Sequence, residues 1–369
     1  MTLARPAFAC VLSVLLSPAS LAAQQIVRVE AAPLQLHRLP LEAHGRVELD
    51  GRGSFIRQWP GTYFETAFRG RSAFFRLGRG DANVRVRVDG GSPMTFLKPQ
   101  PGLYQIDGMP RAIHRLRIDV VSESQQEPSV FGGFFGASGD VSLRLSHRLR
   151  QVEFIGDSFT VGYANTSTKR ACTEQEVWST TDTAQGIAPR VATHFDADYQ
   201  LNAISGRGIV RNYDGSPGAS LPSAYPYVLF DQKRAYSDPK WRPQLIVIGL
   251  GINDFSTALN RAEKWSTRAE LRRDFEFEYV RFVKALRARN PRAFILLWIA
   301  DTGNAEIVSE VASVAKRLRR SGEKRLGFVA IGGLALNACN YHPSVSDDEI
   351  IAERLRQFID AQPGVWAMR

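Results

Sequence analysis

Four short segments carry residues able to attack a carbonyl carbon and stabilise what results: Gly156-Asp157-Ser158, Ser205-Gly206-Arg207-Gly208, Gly251-Ile252-Asn253-Asp254 and Tyr341-His342-Pro343. Such a reaction needs a nucleophile, a base to take its proton, and donors for the oxyanion. Ser158 can serve as the nucleophile and His342 as the base. The Ser158 N–H and the Gly206 N–H can face the developing oxyanion, since glycine lets backbone approach a substrate closely, and Asn253 can add a side-chain amide. Each segment alone is weak, because Gly-Asp-Ser arises by chance and a lone histidine more often packs than catalyses. Position in the fold decides what they amount to.

From about Arg150 onward, short apolar runs alternate with helical stretches. Val152–Ile155, Tyr199–Ile204, Leu245–Leu250, Phe294–Ile299 and Leu326–Ile331 read as buried strands, and Ala269–Arg289 and Ile307–Arg320 as helices. Five such strands predict a parallel sheet covered by helices on both faces, which takes its ligand beyond the carboxyl ends of the strands. Ser158, Gly206 and Asn253 follow the first, second and third strands, and His342 follows the last. The four segments therefore converge on one edge of the sheet.

The chain before about residue 149 reads differently. Ser72–Leu77, Val84–Val88 and His114–Val120 are short β segments separated by turn signals such as Asp89-Gly90-Gly91-Ser92-Pro93. They predict an antiparallel β-sandwich. The expected class is α/β, a flavodoxin-like parallel sheet of about five strands preceded by that sandwich. The expected division is 1–23, 24–149 and 150–369.

Residues 1–23 have the form of a secretory signal: Arg5, an apolar stretch from Phe8 to Leu16 too short to span a bilayer, and small residues around Ala22 and Ala23. The mature protein is expected to be exported, periplasmic or extracellular, without stable membrane insertion, and monomeric. Export leaves Cys172 and Cys339 in an oxidising compartment, which suggests a disulfide, with two buried free thiols as the alternative. At 44% apolar residues the chain can build real cores. Its formal charge of +10 comes without a Lys/Arg run or nucleic-acid module, so no nucleic-acid partner is inferred. No cluster has metal-ligand spacing, so no metal and no cofactor is expected, and chelators should not affect the reaction.

The four segments resemble the blocks of the SGNH, or GDSL-type, hydrolases, from about Gln151 to the C-terminus. The resemblance implies Ser158 as nucleophile and first oxyanion donor, Gly206 and Asn253 as further donors, and His342 as base, with Asp157 and Asp254 as structural neighbours. One position departs from the pattern. Where such enzymes usually carry an aspartate three residues before the histidine, this chain has Cys339. That departure, with the sandwich, Trp59–Glu65 and Ser205–Tyr213, is similar to carbohydrate esterase family 2. There the histidine can be oriented by a backbone carbonyl or by the residue two before it, which assigns that support to Asn340 through its carbonyl or its side chain. The likeness also favours a Cys172–Cys339 bond.

The same resemblance implies removal of O-acetyl groups from carbohydrate such as acetylated xylan or glucomannan, with the acetylated carbohydrate as the partner. Tyr341 and Trp178 are candidates for holding sugar, as are Tyr163 and Tyr213; the sandwich binds polysaccharide or walls the cleft. A lipase or acyltransferase is the alternative enzyme, and a carbohydrate-binding protein with a decayed site the non-enzymatic one. Asp347 and Asp348 are not taken as the missing acid. They lie in Ser346-Asp347-Asp348-Glu349, which reads as a capping box opening the last helix.

Overall fold

A computed structural model describes residues 24–366 apart from Ala32 and Leu34. The expected signal segment, 1–23, lies outside the described residues. No helix among the described residues is long and apolar enough to cross a membrane.

The first part is a sandwich of two antiparallel sheets. One runs in the order Gln25–Val29, Gly102–Asp107, Ala73–Leu77, Ser129–Gly136, Phe55–Arg57, Val47–Leu49; the other runs Val141–Leu143, Tyr63–Gly70, Ala112–Val120, Val84–Val88, Met94–Phe96. Alternation along Val84–Val88 turns the valines inward, and they pack with Phe64, Phe75, Ile118 and Phe134. This is the period-2 pattern of a sheet wetted on one face.

The second part is a five-stranded parallel sheet. Its strands in chain order are Arg150–Gly156, Ala197–Ala203, Leu245–Gly249, Phe294–Ala300 and Leu326–Ile331, and their spatial order is second, first, third, fourth, fifth. The inner strands are buried along almost their whole length, so they read as continuous apolar runs rather than alternating ones. The long helix Arg268–Arg289 starts with a capping box between Thr267 and Glu270 and stops at Asn290, before Pro291. Expected and observed elements agree to within a few residues.

Register places the chemistry. Gly156 pairs with Ala203 on one side and Gly249 on the other, so three strands end level. The segments carrying Ser158, Gly206 and Asn253 leave from that edge.

The sandwich is not a loose appendage. Trp59 and Tyr63 are fully buried, and each packs into one of the two apolar cores flanking the parallel sheet. The Arg46 guanidinium, also fully buried, lies against the rings of Trp59, Tyr225 and Tyr236 and 3.5 Å from Glu153 of the first parallel strand. Glu153 also accepts hydrogen bonds of 2.6 Å from Tyr225 Oη and from Asn202 Nδ2. A charge this deep persists only when paired and hydrogen-bonded, which fixes the register of sandwich against sheet.

Trp59→Ala should therefore destabilise the whole chain by about 3–5 kcal/mol, the range for a buried tryptophan. In urea unfolding this is expected as a lower midpoint with unchanged slope and a single transition; two separated transitions would show that the parts unfold independently.

Candidate functional site

Ser158 opens a one-turn helix, Ser158–Val161, directly after the first parallel strand. Asp157 caps it, accepting from Phe159 N at 3.1 Å, and Gly162 ends it with φ +78°. As first residue of the helix, Ser158 has an N–H with no intrahelical acceptor, and it makes no hydrogen bond among the described residues. That leaves it free for an incoming anion.

His342 meets Ser158 from the far end of the chain: Nε2 lies 2.8 Å from Oγ. Its other ring nitrogen, Nδ1, faces the carbonyl oxygens of Cys339 and Asn340, each at 3.1 Å. Nδ1 therefore carries the hydrogen, and Nε2 accepts from the serine hydroxyl. Asn340 and Tyr341 have φ of +54° and +60°, and these consecutive left-handed residues turn both carbonyls onto one nitrogen. Phe159 and Tyr163 pack on the ring at centroid distances of 5.3 and 4.2 Å. Burial holds the imidazole down to about 4, partly offset by the two carbonyls, so it is a neutral acceptor near pH 7.

The Asn340 side chain does something else: its Nδ2 donates to Tyr163 Oη at 3.1 Å. Of the two routes expected for Asn340, its carbonyl is the one that faces the histidine. Cys339, which occupies the position of the usual aspartate, is bonded to Cys172. Around that bond Asn340 N donates to Arg170 O at 2.7 Å, and the Arg170 guanidinium donates to the carbonyls of Leu336 and Ala335, each at 3.0 Å. The histidine loop is thus tied to the segment that follows the serine.

Gly206 sits after the second strand with φ +79°, a conformation an L side chain resists, and its N–H makes no hydrogen bond among the described residues. The rest of that loop is held by buried Asp254, whose carboxylate accepts from the N–H groups of Ile209, Val210 and Arg211 at 2.9–3.0 Å. A Cβ on Gly208 would collide with Arg211 O and the Asp254 carboxylate. Asn253 lies beside it, donating to Asp157 Oδ2 at 3.2 Å and Arg207 O at 3.0 Å. Its two amide hydrogens are both engaged here, so an oxyanion would share one of them. Burial raises Asp157 to about 7 and Asp254 to about 6, each offset by the N–H groups it accepts from.

The sugar candidates are placed unevenly. Tyr341 is 65% exposed, with the Arg170 guanidinium 4.7 Å from its ring centre, and Tyr213 is also exposed. Trp178 is half-buried and donates from Nε1 to Glu123 O at 3.3 Å. It is Tyr163, not Tyr341, that covers the histidine ring.

Two residues of the sandwich reach the site unannounced by the sequence. Glu123 accepts from Ser205 N at 3.0 Å, and Gln125 donates to Ser205 O at 3.3 Å, bracing the residue before Gly206. Desolvation raises the Glu123 carboxyl. No local pattern in the sequence announces these contacts, which span some 80 residues of chain.

His342 Nδ1 is taken by the carbonyls of Cys339 and Asn340, so neither Asp347 nor Asp348 orients it. The capping box exists but two residues earlier than expected: Ser344 caps the helix Val345–Asp360, paired with Asp347. Asp347 also accepts from Ala335 N and Leu336 N at 2.8 and 3.1 Å, which pulls the helix start toward the histidine loop.

Residues 43–144 match the carbohydrate esterase 2 N-terminal family, and residues 154–350 the GDSL-like lipase/acylhydrolase family. An acetylxylan esterase/glucomannan deacetylase of Cellvibrio japonicus (strain Ueda107) is 42% identical over 333 residues, 89% of this chain and 92% of that one. Among solved structures, a carbohydrate esterase whose active site displays divergent catalytic and non-catalytic binding functions matches with a TM-score of 0.85 and 41% identity, covering 90% of this chain and 100% of that one. A family two carbohydrate esterase from Clostridium thermocellum, in complex with cellohexaose, matches with a TM-score of 0.77 and 25% identity, covering 89% and 100%.

An imidazole held near 4 has a consequence for rate. A base works only when unprotonated, so lowering its pKa from the usual 6.5 moves the acidic limb of the kcat/KM profile to lower pH. Ester hydrolysis should rise with pH through a limb below about pH 5; a rising limb at 6.5 or above would show an ordinarily solvated histidine.

Proposed function

Since the chain belongs to carbohydrate esterase family 2 and is a carboxylic ester hydrolase, we propose that it removes O-acetyl groups from xylan, glucomannan or their oligosaccharides, through an acetyl-enzyme on Ser158. The observation that carries this is the 2.8 Å hydrogen bond from Ser158 Oγ to His342 Nε2, on an imidazole whose Nδ1 hydrogen is held by backbone carbonyls. The named activity of the Cellvibrio japonicus relative supports the substrate.

Ser158 Oγ attacks the acetyl carbonyl carbon as its proton passes to His342 Nε2. The oxyanion faces the N–H groups of Ser158 and Gly206 and the Asn253 amide, which shares a hydrogen now directed at Asp157 or Arg207 O. Collapse breaks the bond to the sugar oxygen, and His342 returns the proton to that oxygen. Water then attacks the acetyl-serine, losing its proton to His342, and acetate leaves as the serine hydroxyl is restored. The imidazolium is stabilised by two carbonyl dipoles rather than a carboxylate, a weaker partner for a cation. No metal or cofactor enters these steps.

The division of the chain at about residue 149 belongs to the same reading: the part after it supplies the reacting groups, and the part before it walls the cleft through Glu123 and Gln125. Export to the periplasm or medium fits a polymeric substrate and the bonded cysteine pair. Tyr341, Tyr213 and Trp178 are the surfaces assigned to sugar.

Ser158→Ala should lower turnover of acetyl nitrophenyl ester by at least about 10³-fold, the scale for a lost nucleophile, and wild type should prefer acetyl to longer acyl chains. Equal rates in the two proteins would remove the serine mechanism, whereas preference for long chains would point to a lipase.

Asn340→Ala tests the carbonyl assignment separately. Because the carbonyl survives the substitution, activity is expected to stay within about tenfold of wild type; a loss of about 100-fold or more, typical of a removed acid–base partner, would assign the role to the side chain.

A further inference from the structure

The N–H of Gly206 is one half of a peptide unit whose other half is the carbonyl of Ser205. A trans peptide is planar with its C=O and N–H opposed, so whatever holds Ser205 O also aims Gly206 N–H. These atoms lie in a β-turn, 204–207, closed by Arg207 N donating to Ile204 O at 3.2 Å. Gly206, its third residue, has φ +79°, while φ of Ser205 is negative, which makes the turn type II.

Type I keeps the same closing hydrogen bond but turns the central peptide over. Between the two types, ψ of the second residue and φ of the third each change by about 150–170°. Glycine in third place is free to adopt either value. In type I the Ser205 carbonyl would point where Gly206 N–H points now. The site would lose a donor and gain an acceptor directed at the same place.

The neighbouring peptide units are secured. Ile204 N donates to Gly156 O at 3.2 Å, Ser205 N to Glu123 Oε1 at 3.0 Å, and Tyr213 N to Gly206 O at 2.8 Å. Asn253 Nδ2 donates to Arg207 O at 3.0 Å. The central unit has one holder among the described residues: Gln125 Nε2, donating to Ser205 O at 3.3 Å. The same nitrogen donates to Glu123 Oε1 at 3.2 Å. Both partners are acceptors, so only the amide nitrogen fits between them. The loop that carries this pair is itself fastened, by Trp178 Nε1 on Glu123 O and Gln58 Nε2 on Gln125 O, each at 3.3 Å.

We propose that Gln125 is a positioning residue for ester hydrolysis, whose amide keeps the Ser205–Gly206 peptide in its type II orientation and Gly206 N–H aimed at the oxyanion. This rests on the reading of Ser158 as nucleophile and Gly206 as oxyanion donor. It gives the sandwich a part in the rate of the reaction as well as in the wall of the cleft. The type I turn is the inactive alternative, and Gln125 sets the balance between the two.

The test measures kcat and KM of the full chain on nitrophenyl acetate, with Tm alongside. Gln125 is exposed, so Gln125→Ala should fold with a Tm close to that of wild type. Its kcat should fall about tenfold, less than the about 10²–10³-fold cost of losing an oxyanion donor outright. KM should stay within about twofold, since the lost interaction is made in the transition state. Gln125→Glu, which sets a carboxylate against Ser205 O, should lose more than Gln125→Ala. Gly206→Ala meets no atom within 4 Å but resists φ +79°, so it favours the same flip. In that background Gln125→Ala should cost less than it does in wild type, because both changes act on one peptide. The proposal falls if Gln125→Ala turns over as wild type does, if its loss is in KM alone, or if the two losses multiply in full. Failure of the serine mechanism is a separate result: Ser158→Ala would then match wild type.

Discussion

The histidine ring suspended between a serine hydroxyl and two main-chain carbonyls is the arrangement on which the site depends. A carboxylate would orient an imidazole through a side chain with its own freedom; a carbonyl can do so only if the backbone itself is immobile. The loop is accordingly overdetermined. Cys339 is bonded to Cys172, Asn340 N is held by Arg170 O, Arg170 grips the carbonyls of Ala335 and Leu336, and Asp347 takes the N–H groups of the same two residues. Closing a loop of 167 residues is worth about 5 kcal/mol in the chain-entropy model. That is of the same order as the cost of two left-handed residues at about 1–3 kcal/mol each.

Replacing the aspartate by a cysteine therefore exchanges one kind of support for another. The usual acid contributes charge; this cysteine contributes position, and the charge is left to dipoles. Tyr163 belongs to the same construction, since it packs on the imidazole and binds the Asn340 amide. The sandwich participates through Glu123 and Gln125, which brace Ser205 beside Gly206. Its anchorage by Trp59, Tyr63 and the Arg46–Glu153 pair makes such bracing rigid, because all three lie in or against the cores of the parallel sheet.

What the sequence disclosed follows the distance over which each feature is encoded. Strands and helices were legible because hydrophobic period is local, and the edge of the sheet was legible because parallel strands end together. Ser158, Gly206, Asn253 and His342 could be named as a set for that reason. Features made by contact between distant segments were not legible. Nothing near Glu123 indicates that it reaches Ser205. The choice between the Asn340 carbonyl and its amide turned on two positive φ values that an Asn-Tyr pair does not announce. The last helix starts at Ser344 rather than Ser346 because Asp347 has partners in the preceding loop, a tertiary preference overriding an equally good local cap.

Electrostatics at the two ends of the sheet differ in kind. At the carboxyl edge Asp157 and Asp254 are buried side by side, raised to about 7 and about 6, and served by N–H donors rather than cations. Neutral N–H donors hold these carboxyls in place without setting a cation beside the oxyanion. At the amino edge Glu65 and Asp198 face Arg148 and Arg117 and stay within reach of solvent through a cleft there. There guanidinium groups lie directly against the carboxylates. Reaction needs the first arrangement, in which donors are fixed and no mobile cation competes for the oxyanion; joining two sheets needs the second, in which strong attraction acts across a seam. Placing them at opposite ends of the same strands keeps each from compromising the other.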